Sequence, residues 1–179
     1  MPAGAILCGG ASTRMGRDKA FVEVDGVAMV VRIATVLRAA GCEPVFAVGG
    51  DQGALAALGI DCVDDLFPRE GPVGGVITAL AACDSPSVLV VACDLAHLTV
   101  NTVNALVAAA GAAEVTVAVT DRVQPMCALW TRGALHALRR SFAGGERRLL
   151  AVLNQMTTNE VPADPQDLAN VNAPGDLPQ

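Results

Sequence analysis

Strand-length apolar runs alternate with helix-length amphipathic ones along the first half of the chain, and each apolar run stops on glycine or aspartate. The runs are Ala3–Leu7 before Gly9-Gly10, Val45–Val48 before Gly49-Gly50, 60–63 before Asp64-Asp65, and 87–93 before Asp94. Apolar residues at helical spacing fill 27–40 with Gly41 as a stop, and a short helix is expected over 52–58. Strands and helices in this order build a parallel sheet with helices on both faces, because parallel strands need crossovers. Ligands on such sheets lie beyond the carboxyl ends of the strands. The glycines and aspartates that end the runs therefore share one edge.

The first of these ends is the richest. Gly9 and Gly10 lead into a polar loop that carries Arg14, Arg17 and Lys19. Glycines let backbone N–H groups approach a ligand, and cationic side chains supply the charge that phosphate oxygens need. Lys19 is the only lysine among the 12 basic residues, so an ammonium, a compact point charge on a flexible stem, is singled out here. A tight turn beside a solvated basic loop would give the same residues without a ligand. The loop is not a Walker A motif, since five residues separate Gly10 from Gly16 and Arg17 follows. The Gly-x-Gly-x-x-Gly dinucleotide fingerprint is also absent.

The second anchor is Asp94, at the end of the most strand-like run, Val88-Leu89-Val90-Val91. A carboxylate at the end of a central buried strand is costly unless solvated, paired or metal-bound. It either caps the helix expected near 99–110, or holds a magnesium ion that bridges it to phosphate oxygens. Between the third and fourth strands, 66–75 reads as a loop and 76–82 as an apolar helix. Gly74 and Gly75 either admit a ligand or begin that helix.

Farther on, strands are expected over Val115–Val119 and 126–130, and a helix around Leu135, Leu138 and Phe142. Gly144-Gly145-Glu146-Arg147-Arg148 opens another helix, its two arginines a solvated face or a clamp for a second phosphorylated ligand. The tail, 161–179, is rich in Pro, Asp and Asn, with 170–172 returning as a short edge segment. With no internal repeat or low-complexity linker, one domain over 1–179 is expected.

Composition narrows the partners. A net charge of −6, from 12 basic and 18 acidic residues, argues against a nucleic-acid surface. Only 3% of residues are aromatic, so a bound base would be read by backbone groups, not by an aromatic sandwich. No apolar stretch reaches the roughly 18 residues of a membrane span, and no signal peptide is read. The six cysteines show no zinc-knuckle spacing and are expected to be reduced and mostly buried, as in a cytoplasmic protein.

Leu7-Cys8-Gly9-Gly10, Arg14-Met15-Gly16 and Asp18-Lys19, with the later Asp65, Gly71-Pro72, Gly74-Gly75, Cys93-Asp94, Gly145-Glu146-Arg147-Arg148 and Asn170-Val171-Asn172, resemble the molybdenum cofactor guanylyltransferases. The resemblance spans nearly the whole chain. It implies an α/β, three-layer, Rossmann-like nucleotidyltransferase fold with a mostly parallel central sheet. It also implies that Leu7, Cys8, Gly9, Gly10, Lys19, Asp65 and Asp94 contact GTP, that Asp94 holds magnesium, and that Arg14, Lys19 and Asp94 are catalytic. Arg147, Arg148, Asn170 and Asn172 become candidates for the second substrate. Three departures stand out: Cys8 replaces an alanine, Gly49 and Gly50 replace an asparagine that contacts the nucleotide, and Ala96 replaces a proline.

The implied reaction transfers GMP from GTP to the terminal phosphate of molybdopterin, releasing pyrophosphate. Related cytidylyltransferases carry alanine where Gly9 stands, so Gly9 favours guanine. Transfer of CMP, transfer to a sugar phosphate, and a non-catalytic nucleotide-binding or cofactor-chaperoning module are the rival readings. The chain is expected to be a cytoplasmic monomer that meets molybdopterin-delivering proteins, with no nucleic-acid or membrane partner.

Overall fold

The computed structural model describes residues 1–9 and 19–171. Seven strands form one sheet: β1 (Ala3–Leu7), β4 (Val45–Val48), β5 (Asp61–Val63), β6 (Ser87–Ala92), β7 (Val115–Val119), β8 (Val123–Thr131) and β9 (Thr158–Pro162), in the order β5-β4-β1-β6-β8-β7-β9. All pairings are parallel except those of β8, which runs antiparallel to β6 and β7. The mostly parallel α/β sheet expected from the sequence is therefore present.

Strict side-chain alternation along the strands feeds two cores. Ile6, Ala47, Leu89, Val91 and Leu129 face α1 (Met29–Ala39), α2 (Gln52–Ala57) and α4 (Val100–Ala108), against Ile33, Leu37, Leu55 and Leu106. Ala5, Leu7, Val88, Val90 and Trp130 face α3 (Pro72–Ala81), α5 (Ala134–Ala143) and α6 (Leu149–Leu153). Two helical layers thus enclose the sheet. Cys42 and Cys127 are buried free thiols, and burial pushes them up to about 11 and about 12. No helix among the described residues is long and apolar enough to cross a membrane.

Several boundaries differ from expectation, each for a local reason. Residues 27–28 belong to a small hairpin, β2 (Glu23–Val24) with β3 (Val27–Ala28), and not to the helix. Asp25 and Gly26 turn it with φ of 52° and 75°, the left-handed pair that two-residue hairpin loops require. Helix α3 starts at Pro72, not 76, since proline at the first helical position is pre-set in φ and lacks only an N–H that would be unpaired anyway. Helix α6 starts at Leu149, after the two arginines.

Strand β8 begins at Val123 because the tight 120–122 connection folds it straight back on β7. The tail contributes β9, a half-buried edge strand ending on Pro162. Proline is tolerated at such an edge. The return at 170–171 is not a strand; it is a single backbone bond, from the Val171 N–H to the Asp94 carbonyl at 3.0 Å.

Candidate active site

The carboxyl ends of β1, β4, β5 and β6 lie side by side, as the parallel order demands. At the end of β1, the Leu7 side chain enters the α3 core and Cys8 enters the α1 core, both buried. These two residues present backbone, not side chains, to the edge. Gly9 is exposed. Among the described residues, a Cβ placed on it would meet Asp65 Oδ2 at 3.7 Å and the Gly49 Cα and Val48 carbonyl at 4.0 Å, which are ordinary contacts.

Gly49 is different. Its φ is +68°, and a Cβ there would stand 3.3 Å from the Gly9 Cα, so the backbone conformation and the neighbouring loop both select glycine. Its N–H is committed to the Val63 carbonyl at 2.9 Å. Where the resemblance expects an asparagine side chain, this chain packs two loops backbone to backbone.

Asp65 follows β5. Its Oδ1 accepts from the Phe67 N–H at 3.0 Å and stands 3.1 Å from the hydroxyl of Thr78, which is buried in α3. The Thr78 oxygen also accepts from the Leu66 N–H at 3.1 Å. Asp65 is thus held by one oxygen while the other lies on the Gly9 side. Sequence reasoning missed Thr78; the available signal was a hydroxyl inside an otherwise apolar helix. Gly74 and Gly75 answer a packing need. Added Cβ atoms would stand 2.8 Å from Phe67 Cβ and 3.1 Å from Leu7 Cδ1.

Asp94 follows β6, and Lys19 sits at the start of a single 3-10 turn, Lys19–Phe21. Lys19 Nζ lies 3.4 Å from Asp94 Oδ2, with 24% and 19% of the side chains exposed. The two residues are 75 positions apart, and only the parallel pairing of β1 with β6 brings them together. Asp94 does not cap α4: Thr99 does, its hydroxyl accepting from the Thr102 N–H. Among the described residues no three His, Cys, Asp or Glu side chains converge as a metal cluster. Gly10, Arg14, Arg17, Asp18 and Asn172 lie outside the described residues.

Arg147 and Arg148 are held in the fold. The Arg147 guanidinium pairs with Glu70 at 2.8 Å, donates to the Phe142 carbonyl at 2.8 Å and lies 3.7 Å over the Phe142 ring. It ties the end of α5 to the loop after β5. Arg148 is 81% exposed and forks onto Glu146, through Nε to Oε1 at 3.1 Å and Nη2 to Oε2 at 3.0 Å. Those bonds, with the backbone N–H groups of residues 147 and 148, pull the Glu146 carboxyl down to about 2. Asn170 is exposed, one residue before the Val171 N–H that binds the Asp94 carbonyl.

Residues 4–160 match the model of the MobA-like NTP transferase domain. The "Probable molybdenum cofactor guanylyltransferase" of Opitutus terrae is 34% identical, over 97% of this chain and 92% of that protein. The protein of the same description from Pelotomaculum thermopropionicum is 31% identical, over 97% and 89%. Among solved structures, molybdopterin-guanine dinucleotide biosynthesis protein A from Archaeoglobus fulgidus superposes with a TM-score of 0.77 at 20% identity, covering 97% of this chain and 94% of that one.

Proposed function

Since the chain belongs to the MobA-like NTP transferase family and is a nucleotidyltransferase, we propose that it transfers GMP from GTP to the terminal phosphate of molybdopterin. A phosphate oxygen of the pterin attacks the α-phosphorus of GTP, the bond to the bridging oxygen of the β-phosphate breaks, and pyrophosphate leaves. The nucleophile is already an anion, so no general base is needed. Catalysis then rests on holding two polyanions in line and neutralising their charge.

The observation that carries this reading is the meeting of Lys19 and Asp94 at the edge where β1 and β6 end. In the proposal Lys19, with Arg14, takes up charge gathering on the departing pyrophosphate. The backbone of Leu7, Cys8, Gly9 and Gly10 borders the nucleotide. Asp65, oriented by Thr78, offers its second oxygen to the nucleoside. Gly9 supports a guanine: among the described residues a methyl group there would meet only ordinary contacts, so the packing of those residues does not demand glycine.

Asp94 fits magnesium by the chemistry of its donors. A partly exposed carboxylate leaves room for waters and phosphate oxygens, and magnesium is commonly held by one or two carboxylates with substrate phosphates. Bound there, magnesium supplies Lewis acidity and charge neutralisation at the phosphates. Asn172, which lies outside the described residues, stays a candidate helper on the resemblance alone. Arg148 and Asn170, both exposed, remain candidates for the pterin phosphate, whereas the Arg147 guanidinium is engaged in bracing the loop after β5.

The test is pyrophosphate release by the purified chain from GTP and magnesium, with and without molybdopterin. Release that requires the pterin is expected. Calorimetry should show GTP binding more tightly than CTP, and the reverse order would overturn the guanine assignment.

A further inference from the structure

Arg32, on the exposed side of α1, reaches two other parts of the chain with one guanidinium. Its Nε donates to the Ala96 carbonyl at 3.3 Å, and its Nη1 lies 3.2 Å from both the Val24 carbonyl and Asp25 Oδ2. Val24 and Asp25 form the hairpin that follows Lys19, and that hairpin is joined to Lys19 by the Val22 N–H to the Lys19 carbonyl at 3.1 Å. Ala96 belongs to the turn that follows Asp94.

Backbone bonds shape the turn, Leu95 N–H to the Ala92 carbonyl at 3.3 Å and Leu98 N–H to the Leu95 carbonyl at 3.0 Å, and the Val171 N–H ties the Asp94 carbonyl from outside. Ala96 is buried against Val24, Met29 and Val171, but among the described residues no side chain other than that of Arg32 bonds its carbonyl. Ala96 occupies the second position of the 95–98 turn. That position favours proline, whose ring pre-sets the required φ, and alanine leaves it freer.

We propose that Arg32 is a positioning residue for the reaction, fixing the Asp94 turn against the Lys19 segment by holding the Ala96 carbonyl where a proline would stiffen the turn covalently. The inference rests on the reading that Lys19 and Asp94 share one triphosphate. A planar fork suits this task, since one guanidinium meets acceptors on two segments at once. Arg32 touches neither substrate nor metal, and acts through the turn.

The test follows amide exchange by NMR in the full chain. Arg32→Met should speed exchange of the Leu95 and Leu98 amides roughly tenfold, while Val117 in β7 exchanges as in the parent. Adding Ala96→Pro to Arg32→Met should return Leu95 and Leu98 to within about twofold of the parent, because proline supplies the lost restraint. The magnesium concentration that half-saturates pyrophosphate release should rise several-fold in Arg32→Met and fall back in the double variant. Should Arg32→Met not fold, Arg32→Lys keeps the charge without the fork and should show a smaller acceleration confined to the same two amides. Unchanged exchange at Leu95 and Leu98, acceleration equal to that of Val117, or no recovery with Ala96→Pro overturns the proposal. A parent that releases no pyrophosphate overturns the functional reading instead, and the exchange data still decide the role of Arg32.

Discussion

Both ends of β1 carry a glycine, and the two serve opposite needs. Gly4, at the amino end, is buried, and a Cβ there would press on Leu37 Cδ1 at 3.1 Å, Cys42 Cβ at 3.3 Å and Val45 Cγ2 at 3.3 Å. Gly9, two residues past the carboxyl end, is exposed, and a Cβ there would crowd none of the described residues. One glycine lets a helix and a neighbouring strand close on the sheet, and the other meets only ordinary contacts among the described residues. Residue type alone does not distinguish them. One edge of the sheet is spent on packing, while the other gathers Lys19, Asp65 and Asp94.

The contrast breaks if changes at the open edge cost stability and changes at the packed edge cost activity. Lys19→Ala should show the largest effect, a loss of roughly 10²–10³-fold in kcat/KM, as when one charge-stabilising donor is removed from a transition state. Its partly exposed pair with Asp94 contributes about 1 kcal/mol or less to folding, so the melting temperature should move by no more than about 4 °C. Parallel loss of melting temperature and turnover would show Lys19 to be structural.

Gly4→Ala should do the reverse. Overpacking the Leu37, Cys42 and Val45 contacts should cost about 1–3 kcal/mol, read as an earlier midpoint in urea, with KM for GTP unchanged. Gly9→Ala sharpens the comparison at smaller scale. The melting temperature should stay at the parent value while KM for GTP rises roughly tenfold, the cost of one methyl group in a fitted pocket. If Gly9→Ala instead lowers the melting temperature and leaves KM alone, the space over Gly9 is not a ligand's.

The open edge was the more legible of the two. β1, β4 and β6 are largely apolar runs, and β5, although it opens on the exposed Asp61, stops as they do on Gly or Asp, so both their existence and their shared edge follow from local pattern. Topology alone places Lys19 and Asp94 on one side of the sheet, and their 3.4 Å pair agrees with it. The partners that orient the site were not legible. Thr78 reaches Asp65 across 13 positions and Arg32 reaches Ala96 across 64, and such pairs exist only once helices pack. The start of α3 was hidden because Gly74 and Gly75 read as loop, although they sit in a helix to clear Phe67 and Leu7. β9 was hidden for the opposite reason. Thr158-Asn159-Glu160-Val161-Pro162 is polar, with only Asn159 and Val161 half-buried, so its strand character comes from pairing with β7 and not from its own composition.

The smallest expected effect lies at the far end of the open edge, where Glu146 and Arg148 pair in solvent. Because the folded-state carboxyl is held at about 2 against an ordinary 4.5, Glu146 contributes stability that is present above about 4.5 and lost as pH falls through about 2. Comparing melting temperatures of the parent and Glu146→Gln should therefore show a small gap at pH 6 that closes between pH 4.5 and 2. Arg148 is exposed and Glu146 partly so, and 1 M salt should therefore narrow the gap at pH 6 as well. If the gap closes but pterin-dependent turnover in Glu146→Gln stays at the parent level, the fork onto Arg148 is a local staple. If KM for the pterin falls, Glu146 has been competing with the substrate phosphate for that guanidinium, and Arg148 belongs to the working edge of the sheet.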